Sequence, residues 1–414
     1  MKQKIICCFS LIAVVLLTTF LCLPPKDADI LKNTKELKKQ NVLAIMIETG
    51  EATDTYQEST SGSWPTYGYK FNRKLSRCTN GGELSWDKEK KIVSLSGNSD
   101  DKCYVYFDVG VESIADYCDT GTDLATCVKN FGDQGSAISN IYIHNSSLAN
   151  GAGDNSYRYA GASDKVNNFV CFGSTTSPCP TDNLYRIIGV FEDKVKLIKY
   201  DYASSNLLGT DGDYKGSGTP NPSLYKGSLT SINTYSWNYK AANTGSNTWS
   251  TSLLNKINLN TNYLNNIGPT WSNLIEDATW KVSGHTTTKI TPSEMYTREI
   301  TNATKTYGPS DGTSKIGLMY ASDYGFAASP SAWSTLMNYY NVRANNWMYM
   351  GYYDWTISPY SSSSLYVFIL NSTGDVPNYD ASNGCGSRPV LYLKSSALYA
   401  GGSGTKNSPI TLVV

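Results

Sequence analysis

An uncharged apolar run from Ile5 to Leu23 sets the terms on which the rest of this chain folds. Met1-Lys2-Gln3-Lys4 precedes it and Pro24-Pro25 ends it. As a helix rising ~1.5 Å per residue, about 18–20 apolar residues cross the ~30 Å hydrocarbon core of a bilayer. Residues 1–25 are therefore read as a signal-anchor transmembrane helix. Lys2 and Lys4 favour a cytoplasmic N-terminus, although the lysines after Pro25 weaken that asymmetry. A cleavable signal has a shorter apolar core and a small-x-small site. Phe20-Leu21-Cys22-Leu23 offers no such site, and Leu21 is too bulky for a lipoprotein cysteine at Cys22. The expected location is the cell membrane, single-pass with an extracellular C-terminal region. The alternative is a secreted chain with the leader removed.

An oxidising compartment changes how the cysteines are read. Beyond the leader lie Cys78, Cys103, Cys118, Cys127, Cys171, Cys179 and Cys385. Local pairing is the simplest arrangement: 78 with 103, 118 with 127, 171 with 179. Spacing alone leaves other pairings open, since six cysteines allow 15. His144 and His285 do not sit at zinc-finger spacing from any cysteine, so no zinc site is expected. Cys385 is left over. A nucleophile needs a base, and no histidine is near it in sequence, so a buried thiol is the simpler reading.

With zero net charge and only 17% charged residues, the chain shows no basic patch of the kind nucleic-acid binders carry. Its 31 tyrosines and 34 glycines suit an extracellular, loop-rich β protein. Tyrosine gives a large rigid contact area with a polar tip. It is also a good strand former, so richness in tyrosine supports a binding surface and a sheet equally.

Residues 26–41 are polar and lysine-rich and read as a charged stalk. Val42 to Ile47 is a first buried strand. The span 42–110 reads as a small disulfide-stapled β module, with strands at Lys91–Leu95 and Cys103–Phe107. The span 111–414 reads as one larger domain. Asp123 to Phe131 is a short amphipathic helix. Leu184–Phe191 and Lys194–Tyr200 form a hairpin around Glu192-Asp193. Residues 203–247 are poor in apolar residues and read as a surface excursion. Leu253, Leu254, Ile257, Leu264 and Ile267 recur at helical spacing. Thr291-Pro292-Ser293-Glu294 is a helix start with a capping box. Ile316–Tyr320, Asp354–Ser358, Leu365–Leu370 and Arg388–Leu393 are strands. Strands around a few short helices predict an α+β fold, mainly antiparallel.

Several of these segments carry a resemblance. Asn183–Phe191, Ile316–Gly325, Trp355–Pro359, Gly386–Lys394 and the ending Gly402–Pro409 resemble, in order, an exported domain-of-unknown-function family of gut Firmicutes over about 118–414. The family has no established activity, so the resemblance implies location and architecture. Gly386-Ser387-Arg388 is also similar to the Gly-x-Arg of C-type-lectin-like folds, which include formylglycine-generating enzymes. That likeness implies a C-type-lectin-like C-terminal domain in which Arg388 pins loops at the sheet edge. Formylglycine-generating chemistry needs a cysteine pair near the C-terminus, and Cys385 stands alone.

No catalytic motif and no cofactor motif is present, so a non-enzymatic ligand-binding protein is the leading expectation. Trp333, Tyr339, Tyr340, Trp347, Tyr349, Tyr352, Tyr353 and Trp355 crowd one segment. Aromatic faces stack on the apolar faces of sugars and anchor protein interfaces. Tyr339, Tyr340, Trp347, Tyr349, Tyr352 and Tyr353 are the expected binding residues, for an extracellular protein or glycan, and Trp355 a core residue. Asp375, Asn378, Asp380 and Asn383 could serve calcium, but such residues are ordinary turn formers. A structural or envelope-assembly protein is the second reading. An extracellular carbohydrate-active hydrolase using Asp211, Asp213, Glu276 or Asp277 is the third.

Overall fold

The computed structural model describes residues 34–50, 53–65, 68–87, 90–241, 244–302, 311–339 and 342–414. The anchor expected over 1–25 lies outside them. Among the described residues no helix is long and apolar enough to cross a membrane. The architecture is α+β: many short strands, mostly antiparallel, with a few short helices. The chain divides into two compact units after Val111.

The N-terminal unit contains a five-stranded and a three-stranded sheet. In the larger one, Val42–Glu48 lies parallel to Cys103–Val109, an exception to the antiparallel pattern. The period-2 alternation of Cys103–Val109 turns Cys103, Val105 and Phe107 into a core that also holds Leu37, Ile45, Phe71, Val93 and Leu95. Cys78 bonds Cys103 across this sheet. The stalk expected over 26–41 is corrected from Thr34 onward. Thr34–Glu36 pairs with Ile92–Ser96, and Leu37 is buried in the core. Asn41 donates its side-chain amide to the carbonyls of Ser99 and Asp101, at 2.9 and 2.8 Å. Strand pairing, the buried Leu37 and the satisfied Asn41 amide hold this lysine-rich segment to the sheet, while Lys35, Lys38 and Lys39 stay exposed.

The C-terminal unit is built on a seven-stranded antiparallel sheet. Its order is Ile316–Gly317, Val390–Tyr392, Lys194–Lys199, Leu184–Phe191, Tyr157–Tyr159 and Ile141–Ile143, with Phe169–Cys171 also on Leu184–Phe191. The hairpin expected at its centre is present and turns at Glu192. A bulge interrupts it between Ile187 and Gly189, where any side chain at 189 would collide with the Tyr157 carbonyl. The helix Leu124–Gly132 is capped by Asp123, which accepts from the Thr126 amide at 2.8 Å. The expected capping box at Thr291–Glu294 opens the helix Pro292–Tyr296. Cys118–Cys127 and Cys171–Cys179 are bonded, so all three local couples pair as expected.

The surface excursion expected over 203–247 is corrected. It contains the strands Tyr214–Gly218 and Ile232–Tyr235, and it buries Ile232, Tyr235 and Trp237 completely. Trp237 Nε1 donates to the Thr356 carbonyl at 2.9 Å. Trp280, Trp333, Trp347 and Trp355 likewise donate to main-chain carbonyls, of Ser314, Ala328, Tyr159 and Tyr235. A buried indole must place its N–H. Except for Trp333, whose acceptor is five residues away, each one ties segments far apart in sequence, which lets a polar sequence close over itself.

Candidate functional site

A second sheet positions the aromatic residues. Its strands are Asp354–Pro359, Tyr366–Leu370 and Asn378–Asp380. Asp354 bridges to Gly386, and Tyr235 to Cys385, so the loop before Val390 is clamped on both sides. Cys385 is buried there, and burial pushes its thiol well above the ordinary range, so it is held protonated. Arg388 donates its Nε to Asp354 Oδ2 at 2.6 Å and its Nη2 to the Met348 carbonyl at 3.0 Å. It holds the segment 348–354 against the sheet.

That segment leads from the core to the surface along a run of rings. Trp355, fully buried, lies 6.4 Å from Tyr379. Tyr379 stacks on Tyr353, with centroids 5.9 Å apart and planes 23° from parallel. Tyr353 meets Tyr352 edge-on at 6.1 Å, and Tyr352 meets Tyr202 edge-on at 5.8 Å. Tyr353 and Tyr379 are 39% and 37% exposed. Tyr366, at 37%, lies on the strand that pairs with Asn378–Asp380. Tyr239, at 44%, carries the Lys215 ammonium 4.5 Å above its ring. Exposed rings backed by buried ones are held in place without further cost in side-chain freedom.

Of the expected binding residues, Tyr353 belongs to this face and Tyr352 is half-buried behind it. Tyr339 is 71% exposed on a separate short turn, and Tyr340 lies outside the described residues. Trp347 and Tyr349 are corrected: both are buried. The Trp347 ring lies under the Arg186 guanidinium at 4.7 Å. Tyr349 donates its hydroxyl to the Ser372 carbonyl at 2.7 Å. Density of aromatic residues in sequence does not separate a core from a surface, because large rings fill this core. Tyr379 and Tyr366 were missed because they stand outside the dense segment. Tyr379 lies directly across from the buried Val367, and Tyr366 is the exposed first residue of an otherwise buried strand.

The other candidates are occupied. Asp375 accepts from Thr373 and Asp380 from the Ser382 amide, turn bonds of the loop itself, and Asp380 also accepts from the distant Gly245 amide. Asp213 accepts from the amides of Tyr239, Leu253 and Leu254, while Glu276 pairs with Lys194 at 3.2 Å. These two carboxylates serve different elements and do not share a partner.

Sequence reasoning also passed over a buried charged cluster. Lys196, in the central hairpin, pairs with Asp323 at 2.6 Å, both essentially inaccessible. Arg158 pairs with Asp154 at 2.7 Å and lies 3.6 Å from Asp323. Beside Asp323, Glu299 is buried; desolvation is the main cause that raises its carboxyl to about 7, against hydrogen bonds from Ser322 and Ser358. The signal in sequence was a lysine between Val195 and Leu197 and an arginine between Tyr157 and Tyr159, charges where strands are otherwise apolar. A cavity of about 160 Å³ opens onto this cluster. A larger cleft, about 560 Å³, lies in the N-terminal unit, but its charged residues Arg73, Arg77 and Glu83 are all exposed.

Compared with known proteins, the chain matches no family model, no curated protein and no solved structure.

Proposed function

We propose that this is a non-enzymatic extracellular binding protein, held at the cell membrane by its N-terminal segment or secreted. Its larger unit, which we read as C-type-lectin-like, presents the tyrosine face to a glycan. The observation that carries this reading is the Tyr353–Tyr379 stack, two half-exposed rings fixed from behind by Tyr352 and Trp355. Rigid aromatic platforms with hydroxyl tips suit sugars, which offer apolar faces and polar edges. Three disulfides support an oxidising compartment. The segments of the family resemblance also meet in this unit: Leu184–Phe191, Ile316–Gly317 and Val390–Tyr392 share one sheet, and Asp354 bridges to Gly386. A glycan array and a pull-down with the full-length chain test the proposal. Glycan binding that is lost when Tyr353 and Tyr379 are replaced supports it, and silence in both assays refutes it.

A second reading, a structural or envelope-assembly protein, is favoured by the burial of Trp347 and Tyr349. It predicts protein partners in the pull-down and an empty array.

A further inference from the structure

The cavity at the charged cluster shares no residue with the tyrosine face. Arg158, Lys196, Lys281, Phe191, Tyr296, Tyr320 and Asp323 line it. Arg158 is 2% exposed. Its Nε donates to Ser156 and its Nη2 to Asp154, both at 2.7 Å. Its Nη1 has no hydrogen-bond partner, and the nearest carboxylate oxygen, on Asp323, is 3.6 Å away. A buried guanidinium N–H without an acceptor is costly, and a ligand oxygen relieves it. The Lys281 ammonium donates to the Ile300 carbonyl at 2.9 Å and has further protons to give. Lys196 is already satisfied by Asp323 and enclosed by the rings of Phe191, Trp280, Tyr320 and Tyr392, at 4.4 to 5.7 Å.

The charges do not balance. Below about pH 7, where burial keeps the Glu299 carboxyl beside Asp323 protonated, Arg158, Lys196 and Lys281 stand against Asp154 and Asp323, which leaves one positive charge at the cavity. A monoanion neutralises it, whereas a dianionic phosphate would overshoot beside Asp323. The room, about 160 Å³, equals roughly five waters' share of liquid volume. It is smaller than the ~300 Å³ at which drug-sized pockets begin. The aromatic walls suit a short carbon body. We infer that this cavity binds a small carboxylate, either a free acid or the terminal carboxylate of a sugar acid, with the Arg158 guanidinium and Lys281 Nζ as the donors.

Binding of acetate, D-glucuronate, D-glucose and inorganic phosphate to the full-length chain, measured by calorimetry and thermal shift, tests this. Acetate and glucuronate both binding identifies a free-acid site, and glucuronate alone identifies a sugar-acid site. Either supports the inference, provided glucose and phosphate do not compete. Arg158→Lys keeps the charge but removes Nη1 and lowers the affinity by about tenfold, the worth of one charge-assisted bond. Arg158 also holds Asp154, so Lys281→Gln, at a half-buried position, is the second variant, with a loss of several-fold. Tyr353→Ala leaves acid binding unchanged. No binding of either acid, equal binding of glucose, preference for phosphate, or affinity unmoved by Lys281→Gln overturns the inference.

Discussion

Arg388 and Asp354 form an ion pair at 2.6 Å, 2% and 1% exposed, where the loop ahead of Val390 meets the strand Asp354–Pro359. The pair joins the loop leading into the seven-stranded sheet to the three-stranded sheet that carries the tyrosine face. Burial raises the Asp354 carboxyl to about 6, although Arg388 pulls the other way, so the pair holds together against a real desolvation cost. Removing one partner strands the other. Arg388→Met is therefore expected to cost about 3–5 kcal/mol, measured by denaturant unfolding. A loss under 1 kcal/mol would show that the arginine does not pin the sheets.

Glu299 predicts a pH dependence. Its carboxyl is raised from 4.5 to about 7, with burial the main cause. The native state then keeps a proton that the unfolded chain releases, so stability falls as pH rises from about 4.5 to about 7. Glu299→Gln removes that slope. The stability of the variant relative to the native chain should rise between pH 5 and pH 8, by on the order of 3 kcal/mol at most. Parallel unfolding curves across that range would refute the assignment.

Two of the expected binding residues, one buried and one exposed, give a contrast. Trp347→Ala empties a buried site and should cost about 3–5 kcal/mol. Tyr339→Ala, at an exposed position, should stay within about 0.5 kcal/mol. Chemical denaturation of the two variants checks both.

The Cys78–Cys103 bond closes a loop of sequence separation 25 around a core of few residues. Replacing both cysteines by serine should destabilise the N-terminal unit by about 3–4 kcal/mol on the chain-entropy model. Protection of Val105 and Phe107 amides in hydrogen exchange reads that unit by itself.

Much of this fold is legible in the sequence where local chemistry dominates. The hairpin at Glu192-Asp193, the short helix beginning near Asp123, the Thr291 cap and the cysteine couples each rest on residues close together in the chain. What fails is whatever depends on distant partners. Tyr235 and Trp237 look like loop residues until Cys385 and Thr356 supply their hydrogen bonds. Lys196 and Arg158 look like surface charges on strands until Asp323 and Asp154 meet them. The tyrosine face is half legible: Tyr353 stands in the dense aromatic segment, whereas its stacking partner Tyr379 lies on a three-residue strand in a stretch of sequence notable only for its turn formers.

The central claim is that the Tyr353–Tyr379 stack is a glycan-binding surface. The most direct test is the affinity of the full-length chain for its strongest array glycan, compared with the Tyr353→Ala/Tyr379→Ala double variant at matched thermal stability. The account predicts a drop of about 30-fold or more, the loss of about 2 kcal/mol expected of an interface hot spot. Unchanged affinity in a folded double variant would contradict it.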